Sequence, residues 1–440
     1  MTHLALHATG QAPRRRLLPL PRQSSDRFLA EVETWIRAEY PDVVRGTATR
    51  TIEGSVRELA VGLHPAATPV VFSAGEEGEI GVRAALAPVG PGYQTFVGRL
   101  VQRIGTEHEL EWADDVGEAD DAPVALADPA RAADRSVAEH GYLTWLGSGL
   151  ITARDARRRG AGAVHLGTPP GIRYQVDGAV ATSLGPRDDA WLESAVGDSR
   201  LAIDITPWWM DATDARYLLN RALCLMWTEV RWRPPADDDE RHVHEEVLRL
   251  LARAFPLDPS LDYPWRAWQE LARFRDVDDA MTRQVEIRAQ RAGAGPLIGY
   301  RRGPVLVQHE GWELEVPGSF SERRTAEEWT GRESGRSITI AATETGTVSG
   351  PMSGQAFLDQ VATDLGADAL SHDDGEVVGK ARLSTDATSG VEVGVLEGYS
   401  AVRGRGAAIR IEFDDSADWR WALDTWRGLA PSRAELFARA

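Results

Sequence analysis

The order of apolar and polar positions predicts a first folded region over residues 25–112. Apolar residues recur at helical spacing after Ser25 and again from Tyr93 to Ile104, which predicts a helix at each end. Between these helices, alternating runs separated by Gly and Pro predict antiparallel strands. The predicted strands are 43–51, 56–63, 69–74 and 79–86, with a last one at 109–112 after the second helix.

A second region is predicted over residues 131–298. A long helix ending near Arg159 leads into short strands and one further helix at 188–196. The predicted strands here are 163–167, 172–177, 179–183 and 201–205. Beyond Pro207 the pattern becomes helical, and this stretch holds several tryptophans.

Residues 299–432 form a third predicted region. Apolar and polar residues alternate at 312–316 and 337–341, which predicts strands there. A pattern with helical spacing follows near Phe357. Further strands are predicted at 391–396, 399–402 and 407–413. A helix carrying Trp419 and Trp426 closes the region.

Two segments lack any core pattern. Residues 1–24 contain three prolines and four arginines, which predicts a flexible basic arm, and residues 113–130 are rich in Asp, Glu, Ala and Pro, which predicts an acidic linker. The expected fold class is therefore α+β, with three small α/β modules built on mainly antiparallel sheets. The middle module is extended by the Trp-rich helical stretch.

Charge and composition narrow the function. The 440 residues include 49 Lys+Arg and 67 Asp+Glu, and a net charge of −18 disfavours nucleic acid as a partner. Lys380 and Asn220 are the only lysine and asparagine, which indicates a GC-rich genome because both residues use A-rich codons. The lone Cys224 excludes an internal disulfide, and neither an export signal nor an apolar run of about 20 residues is visible. We expect a cytoplasmic protein without membrane insertion.

Tryptophan is concentrated in the middle region, where seven of the 15 lie between Trp191 and Trp268. Indole rings stack on sugars and anchor protein interfaces, but they also pack cores. Trp227 lies in an apolar helical run and is predicted to be core. The residues predicted to bind a partner are Trp208, Trp209, Trp265 and Trp268, which flank prolines.

Catalytic patterns are weak throughout. Asp204, Asp211 and Asp214 could pair for acid–base chemistry, but an acid before an apolar helix more simply caps it. His242 and His244 are two residues apart on a predicted helix and point in different directions, so no metal site is expected. Cys224 is expected in the core as a neutral thiol. No catalytic residue, metal or cofactor is predicted.

The first region resembles a known family. Its element order and the stretch Thr68-Pro69-Val70-Val71-Phe72 resemble type III secretion chaperones and their YbjN-like relatives. The resemblance covers about 90 residues and implies a module that binds other proteins without catalysis.

The third region resembles the PsbP-like superfamily. The matching residues are Gly311-Trp312-Glu313-Leu314-Glu315-Val316-Pro317, the helix beginning near Ser353, and Ile409-Arg410-Ile411-Glu412-Phe413-Asp414 before the last helix. The resemblance covers about 130 residues and implies a binding module whose partner lies on the exposed sheet face.

Two classes of function follow. The first is a non-enzymatic cytosolic adaptor or chaperone-like protein, in a bacterial secretion, injection or defence assembly, that binds other proteins. The alternative is an enzyme, or a carbohydrate- or peptide-binding protein, with a site in the Trp-rich stretch. That site would use Asp204, Asp211, Asp214 or His165. The sequence leaves the oligomeric state open.

Overall fold

The computed structural model describes most of the chain. The described residues are 5–11, 22–52, 55–75, 79–112, 125–126, 128–161, 164–169, 171–176, 179–293, 296–325, 327–347, 350–366, 368–386 and 392–432. Their fold is α+β with several mainly antiparallel sheets, which confirms the predicted class. Among these residues, no helix combines the length and apolar character needed to cross a membrane.

The elements are as follows. The strands are β1 (Ala5–Gln11), β2 (Gly46–Ile52), β3 (Ser55–Gly62), β4 (Val70–Ala74), β5 (Glu79–Ala85), β6 (Glu111–Trp112), β7 (Ala125–Leu126), β8 (Val164–Leu166), β9 (Ile172–Tyr174), β10 (Ala179–Thr182), β11 (Gly185–Asp188), β12 (Val305–His309), β13 (Trp312–Val316), β14 (Ser321–Arg324), β15 (Glu328–Glu333), β16 (Arg336–Glu344), β17 (Gly346–Thr347), β18 (Gly350–Pro351), β19 (Leu370–Asp373), β20 (Val378–Asp386), β21 (Val393–Val402), β22 (Arg405–Phe413) and β23 (Ala430–Pro431). The α-helices are α1 (Arg22–Glu39), α2 (Pro91–Glu107), α3 (Pro129–Ala133), α4 (Arg135–Arg158), α5 (Asp189–Gly197), α6 (Ala215–Thr228), α7 (Asp238–Leu257), α8 (Trp265–Phe274), α9 (Ala280–Arg291), α10 (Gly354–Val361) and α11 (Trp419–Arg427).

Contacts divide the chain into two compact units. Unit 1 comprises Met1–Pro170, Val176–Val230 and Val243–Gly299, and unit 2 comprises Gly171–Gln175, Arg231–His242 and Tyr300–Ala440. The first and middle predicted regions thus fall largely within one unit. Residues 113–124 and 127 of the predicted linker lie outside the described residues, and the three-domain division stays a prediction.

The larger sheet of unit 1 has the order β2-β3-β4-β5-β1-β6, with β7 beside β1. Burial alternates along β4 and β5, and Leu59, Phe72 and Val82 lie on one face and are buried there. Helix α1 packs against β3 and β4, and α2 packs against α3 and α4. The predicted helix, meander and helix are confirmed.

Strand β1 corrects one prediction. Ala5–Gln11 pairs antiparallel with β5 along all seven residues, and Leu6 and Ala8 are buried. The predicted flexible arm is therefore wrong for these residues, while residues 12–21 lie outside the described part. A strand of small residues shows little apolar alternation, and its pairing depends on backbone hydrogen bonds to a distant strand.

The smaller sheet of unit 1 has the order β11-β10-β8, and α4 and α5 contribute to its core. The strand predicted at 201–205 is wrong, because Ser199–Ile205 is a 3-10 helix. Ala202 and Ile205 are buried whereas Leu201 and Ile203 are exposed. A spacing of three residues between buried positions fits a 3-10 helix and not a strand.

A buried ion network joins four side chains of unit 1. The Arg221 guanidinium donates to Glu246 Oε1 at 2.5 Å and to the carbonyl oxygen of Asp42 at 2.9 Å. Arg45 pairs with Glu246 at 3.3 Å and with Glu229 at 2.8 Å. Burial alone would raise the pKa of Glu246, but Arg45 and Arg221 lower it more, so that pKa lies below its ordinary value.

Unit 2 contains a sheet in the order β14-β15-β16-β22-β21-β20-β19 and a smaller one in the order β23-β13-β12-β9. Helix α10 packs on Tyr399 and Ala401, and Trp426 of α11 lies against Gly398. Neighbouring residues of a strand point to opposite faces, so the two helices pack on opposite faces of the larger sheet, and each covers part of its face.

Two details of unit 2 differ from the prediction. Strand β9, assigned from sequence to the middle region, pairs with β12 through Ile172↔Val307. The strands predicted at 391–396 and 399–402 form one continuous strand, β21. In both cases long-range pairing decides the outcome, and local pattern carries no information about which strand is the neighbour.

We expect the substitution Glu246→Ala to lower the free energy of unfolding by about 3–5 kcal/mol, because it leaves the buried Arg221 charge uncompensated. The control Glu245→Ala, which removes an exposed carboxylate paired with Arg275, should cost about 1 kcal/mol or less. Urea denaturation followed by circular dichroism measures both. Equal losses for the two variants would contradict the role of the network.

The contribution of Glu246 should also depend on pH. Its pKa is lowered on folding, so its stabilisation is complete above its unfolded pKa of about 4.3 and is lost as the pH falls through the lower folded value. The stability difference between the wild type and Glu246→Gln should therefore shrink below about pH 4. A difference that grew on acidification would contradict this assignment.

Candidate functional site

Trp208 does not lie at a surface. Its side chain is 1% exposed, and its ring centroid lies 4.3 Å from that of Tyr217 and 5.1 Å from that of Phe96. Its backbone N–H donates to Val89 O at 2.9 Å, next to the start of α2. The expectation that Trp208 lies at the surface is therefore wrong, because its ring fills the core between α2 and α6.

Trp265 and Trp268 form a separate ring pair. Their centroids are 5.7 Å apart and their planes differ by 11°. Trp268 is buried, which contradicts its prediction as a surface residue, whereas Trp265 is half-buried. The Arg288 guanidinium lies 4.9 Å from the Trp265 ring, so this pair attaches α9 to α8.

Trp209 belongs to a third environment. Its ring is half-buried near Tyr142, with centroids 6.1 Å apart, and the Arg135 guanidinium lies 5.4 Å from it. The four predicted tryptophans therefore occupy three separate aromatic clusters. Trp227 is buried, as predicted.

The three aspartates are equally dispersed. Asp214 accepts a hydrogen bond from Tyr217 N at 2.9 Å and caps α6, which confirms the capping interpretation. Asp211 pairs with Arg99 at 2.8 Å, and Asp204 pairs with Arg187 at 3.3 Å. Each carboxylate is engaged with a different partner, so these three residues are not brought together as an acid–base pair.

Histidine and cysteine take up packing positions. His244 is buried against Phe274, while His242 is exposed. Among the described residues, no group of three or more His, Cys, Asp and Glu side chains could hold a metal ion. Cys224 is buried and burial raises the pKa of its thiol, which confirms a neutral core residue. His165 is half-buried on β8.

The surface that stands out in unit 1 is the sheet face opposite the buried one. Two rows of side chains cross five strands, and all of them are exposed or half-buried. The first row is His7, Arg83, Val71, Ala60 and Ala48, and the second is Thr9, Gly81, Ser73, Glu58 and Arg50. We call these ten residues the open face.

The centre of the open face carries short side chains. Ala60, Val71 and Ser73 are small, and five strands spaced about 4.8 Å apart span about 19 Å. Charges lie among and beside these small residues, where Glu58 pairs with Arg83 at 2.9 Å and with Arg50 at 3.8 Å. Sequence reasoning missed this surface, although alternation along β3 and β5 could have revealed its polar positions.

Unit 2 also has an exposed sheet face. One row there is Thr330, Thr339, Arg410, Glu397 and Arg382. Glu397 pairs with Arg410 at 2.5 Å and with Arg382 at 2.9 Å. This row therefore has the same kind of arrangement as the open face, with one glutamate paired to two arginines.

Comparisons with known proteins identify no family to which this chain belongs. No protein-family model matches the chain, and no curated protein matches its sequence. A crystal structure from Bacteroides thetaiotaomicron VPI-5482 is similar at 8% identity, with a TM-score of 0.24, over 28% of this chain and 46% of that one. The chain thus spans about half the length of that structure, and a similarity at this level supports no inference.

We expect Asp214→Ala to lower the free energy of unfolding by about 1 kcal/mol, because it removes the cap of α6. Asp214→Asn keeps an acceptor at the cap and should stay within a few tenths of a kcal/mol of the wild type. Chemical denaturation measures both variants. The capping assignment would be wrong if the Asn and Ala variants lost equal stability.

Proposed function

We propose that this chain is a non-enzymatic adaptor or chaperone-like protein that binds another protein through the open face of unit 1. The observation that carries the proposal is the exposure of two complete rows of side chains across five strands. A surface with short side chains at its centre allows close approach of a second backbone or helix. Charged residues at its margin, such as Arg83, add orientation.

The size and chemistry of the open face support a protein partner. Stable interfaces bury about 800 Å² per partner, with an apolar centre and a polar rim. Ala60 and Val71 supply apolar surface, Arg83 lies directly beside Val71, and Arg50 supplies part of the rim. As part of the same proposal we place the protein in the cytosol of a bacterium, with a role in a secretion, injection or defence assembly.

The enzymatic alternative has less support. It relied on exposed tryptophans and paired aspartates in the Trp-rich stretch. Trp208 and Trp268 are buried, and Asp214 is engaged in capping α6. No observation on the described residues favours a carbohydrate site over a packing role for these rings.

The proposal predicts position-dependent crosslinking in the native cell. A benzophenone side chain at Val71 should capture one or a few defined proteins, because this position lies in the first row of the open face. The same group at Thr106, an exposed residue of α2, is the matched control and should capture none of them. Mass spectrometry identifies the adducts.

A second variant separates binding from folding. Val71→Glu adds a charge at the centre of the open face and should abolish capture by a crosslinker at Thr9, with little change in the melting temperature. Identical adducts from Val71 and Thr106, or capture unaffected by Val71→Glu, would overturn the proposal.

A further inference from the structure

A histidine of unit 1 lies on a connecting loop that is itself buried. Residues 63–66 follow β3 and begin its connection to β4, and we call them the histidine loop. Leu63 and His64 are 1% exposed and Ala66 is 2% exposed. Connections between strands normally run over the surface, where water satisfies their polar groups. The protonation state of His64 therefore matters, because a charge at this position would be removed from water.

Aromatic rings surround the His64 imidazole. Its ring centroid lies 6.3 Å from those of Tyr93 on α2 and of Trp208, and 6.4 Å from that of Tyr217 on α6. Burial raises the pKa of both tyrosines, so both hydroxyls stay neutral. The imidazole is therefore enclosed by α2, by α6 and by the segment that carries Trp208, and neither tyrosine supplies a negative charge.

One hydrogen bond determines which nitrogen of the imidazole carries the proton. The backbone N–H of Ala66 donates to His64 Nδ1 at 3.1 Å, so Nδ1 is the acceptor and Nε2 carries the proton of the neutral ring. The N–H of Ala67 donates to His64 O at 3.1 Å and closes the same turn. The conformation of the histidine loop thus depends on a free lone pair at Nδ1.

A proton on Nδ1 would remove that acceptor. Both nitrogens of an imidazolium are donors, so the Nδ1–H and the Ala66 N–H would face each other. The N–H of Ala66 would then lose its bond in a buried position, which is costly. Among the described residues, His64 Nε2 has no hydrogen-bond partner, so no carboxylate bonded to the ring favours the charged form.

The charged groups that act on His64 are two cations. Arg221 belongs to α6 and Arg45 precedes β2, and their carboxylate partners are Glu246 of α7 and Glu229 at the end of α6. Both glutamates are engaged by arginines, and neither bonds to the imidazole. Burial, and then the charges of Arg221 and Arg45, hold the pKa of His64 well below its usual value.

We propose that His64 is a proton-operated switch, in which protonation at Nδ1 releases the histidine loop from its buried position between α2 and α6. The closed form takes up no proton at this site, whereas in the open form the imidazole reaches water and binds one. Acidification therefore favours the open form. The inference goes beyond the proposed function and does not rest on it, although the histidine loop leads from β3 to β4, two strands of the open face.

The active pH range follows from the difference between the two forms. In the open form His64 has its ordinary pKa of about 6.5, and in the closed form its pKa is lower. The open form binds more protons below about pH 6.5, so the closed form loses stability as the pH falls. The equilibrium constant for opening should rise about tenfold between pH 7.5 and pH 5.5. Glu246 titrates below this range, since its unfolded pKa is about 4.3.

Hydrogen exchange of the full-length protein, followed by nuclear magnetic resonance, measures this opening. Protection factors correct for the intrinsic effect of pH on exchange. Those of the Ala66 and Ala67 N–H groups, which bond to His64, should fall about tenfold from pH 7.5 to pH 5.5. Protection that stayed constant over this range would overturn the proposal.

A substitution assigns the effect to His64. His64→Asn keeps an oxygen that can accept from the N–H of Ala66, two residues further on, as in an Asx-turn, and its amide does not titrate. Protection at Ala66 should then be independent of pH over the same range. The matched control His140→Asn replaces an exposed histidine of α4 in the same unit and should keep the tenfold fall. A tenfold fall retained in His64→Asn would contradict the assignment.

A spectrum of the unaltered sequence makes the test independent of how the variant folds. In protein labelled with ¹⁵N at histidine, the His64 ring should show an unprotonated Nδ1 and a protonated Nε2, and the closed form should keep this state down to pH 5.5. A proton on Nδ1 at pH 7.5, or a continuous change to the imidazolium with a midpoint near the ordinary value of about 6.5, would overturn the proposal. The open face plays no part in this measurement, so its outcome is separate from the crosslinking result.

Discussion

Buried pairs between arginine and carboxylate hold the connecting segments of this protein in place. In unit 1, Glu246 receives hydrogen bonds from Arg221 and Arg45, and in unit 2, Glu240 and Glu322 hold the arginines of two loops. Because the chain contains a single lysine, arginine guanidinium groups make almost all of these ion pairs. The planar guanidinium group of arginine can donate hydrogen bonds to a carboxylate and to a backbone carbonyl at the same time. The ammonium group of lysine fixes the directions of its hydrogen bonds less strictly.

The broad sheet face of unit 1 that carries Val71 and Ala60 is exposed or half-buried. The same kind of pair occurs in unit 2, where Glu240 pairs with both Arg231 and Arg233.

Local pattern predicted most helices and strands correctly, because a packed face imposes its own period on the chain. The meander of unit 1 and the cap at Asp214 followed directly from alternation and from an acid before an apolar run. The prediction was wrong for β1, whose pairing partner lies far away in the sequence. It was also wrong for Ser199–Ile205, where buried residues that recur every three positions were interpreted as the two-residue period of a strand. The four tryptophans show a related difficulty, since an indole beside a proline has the same sequence signature in a core and on a surface.

The sequence by itself determined the α+β class, the acidic surface and the core position of Cys224, because these depend on composition and on short-range periodicity. Only the tertiary structure decided that β1 lies inside a sheet, that Trp208 is buried, and that His64 lies between α2 and α6. The physical reason is that these properties depend on contacts between residues distant in sequence, and such contacts leave no periodic trace along the chain.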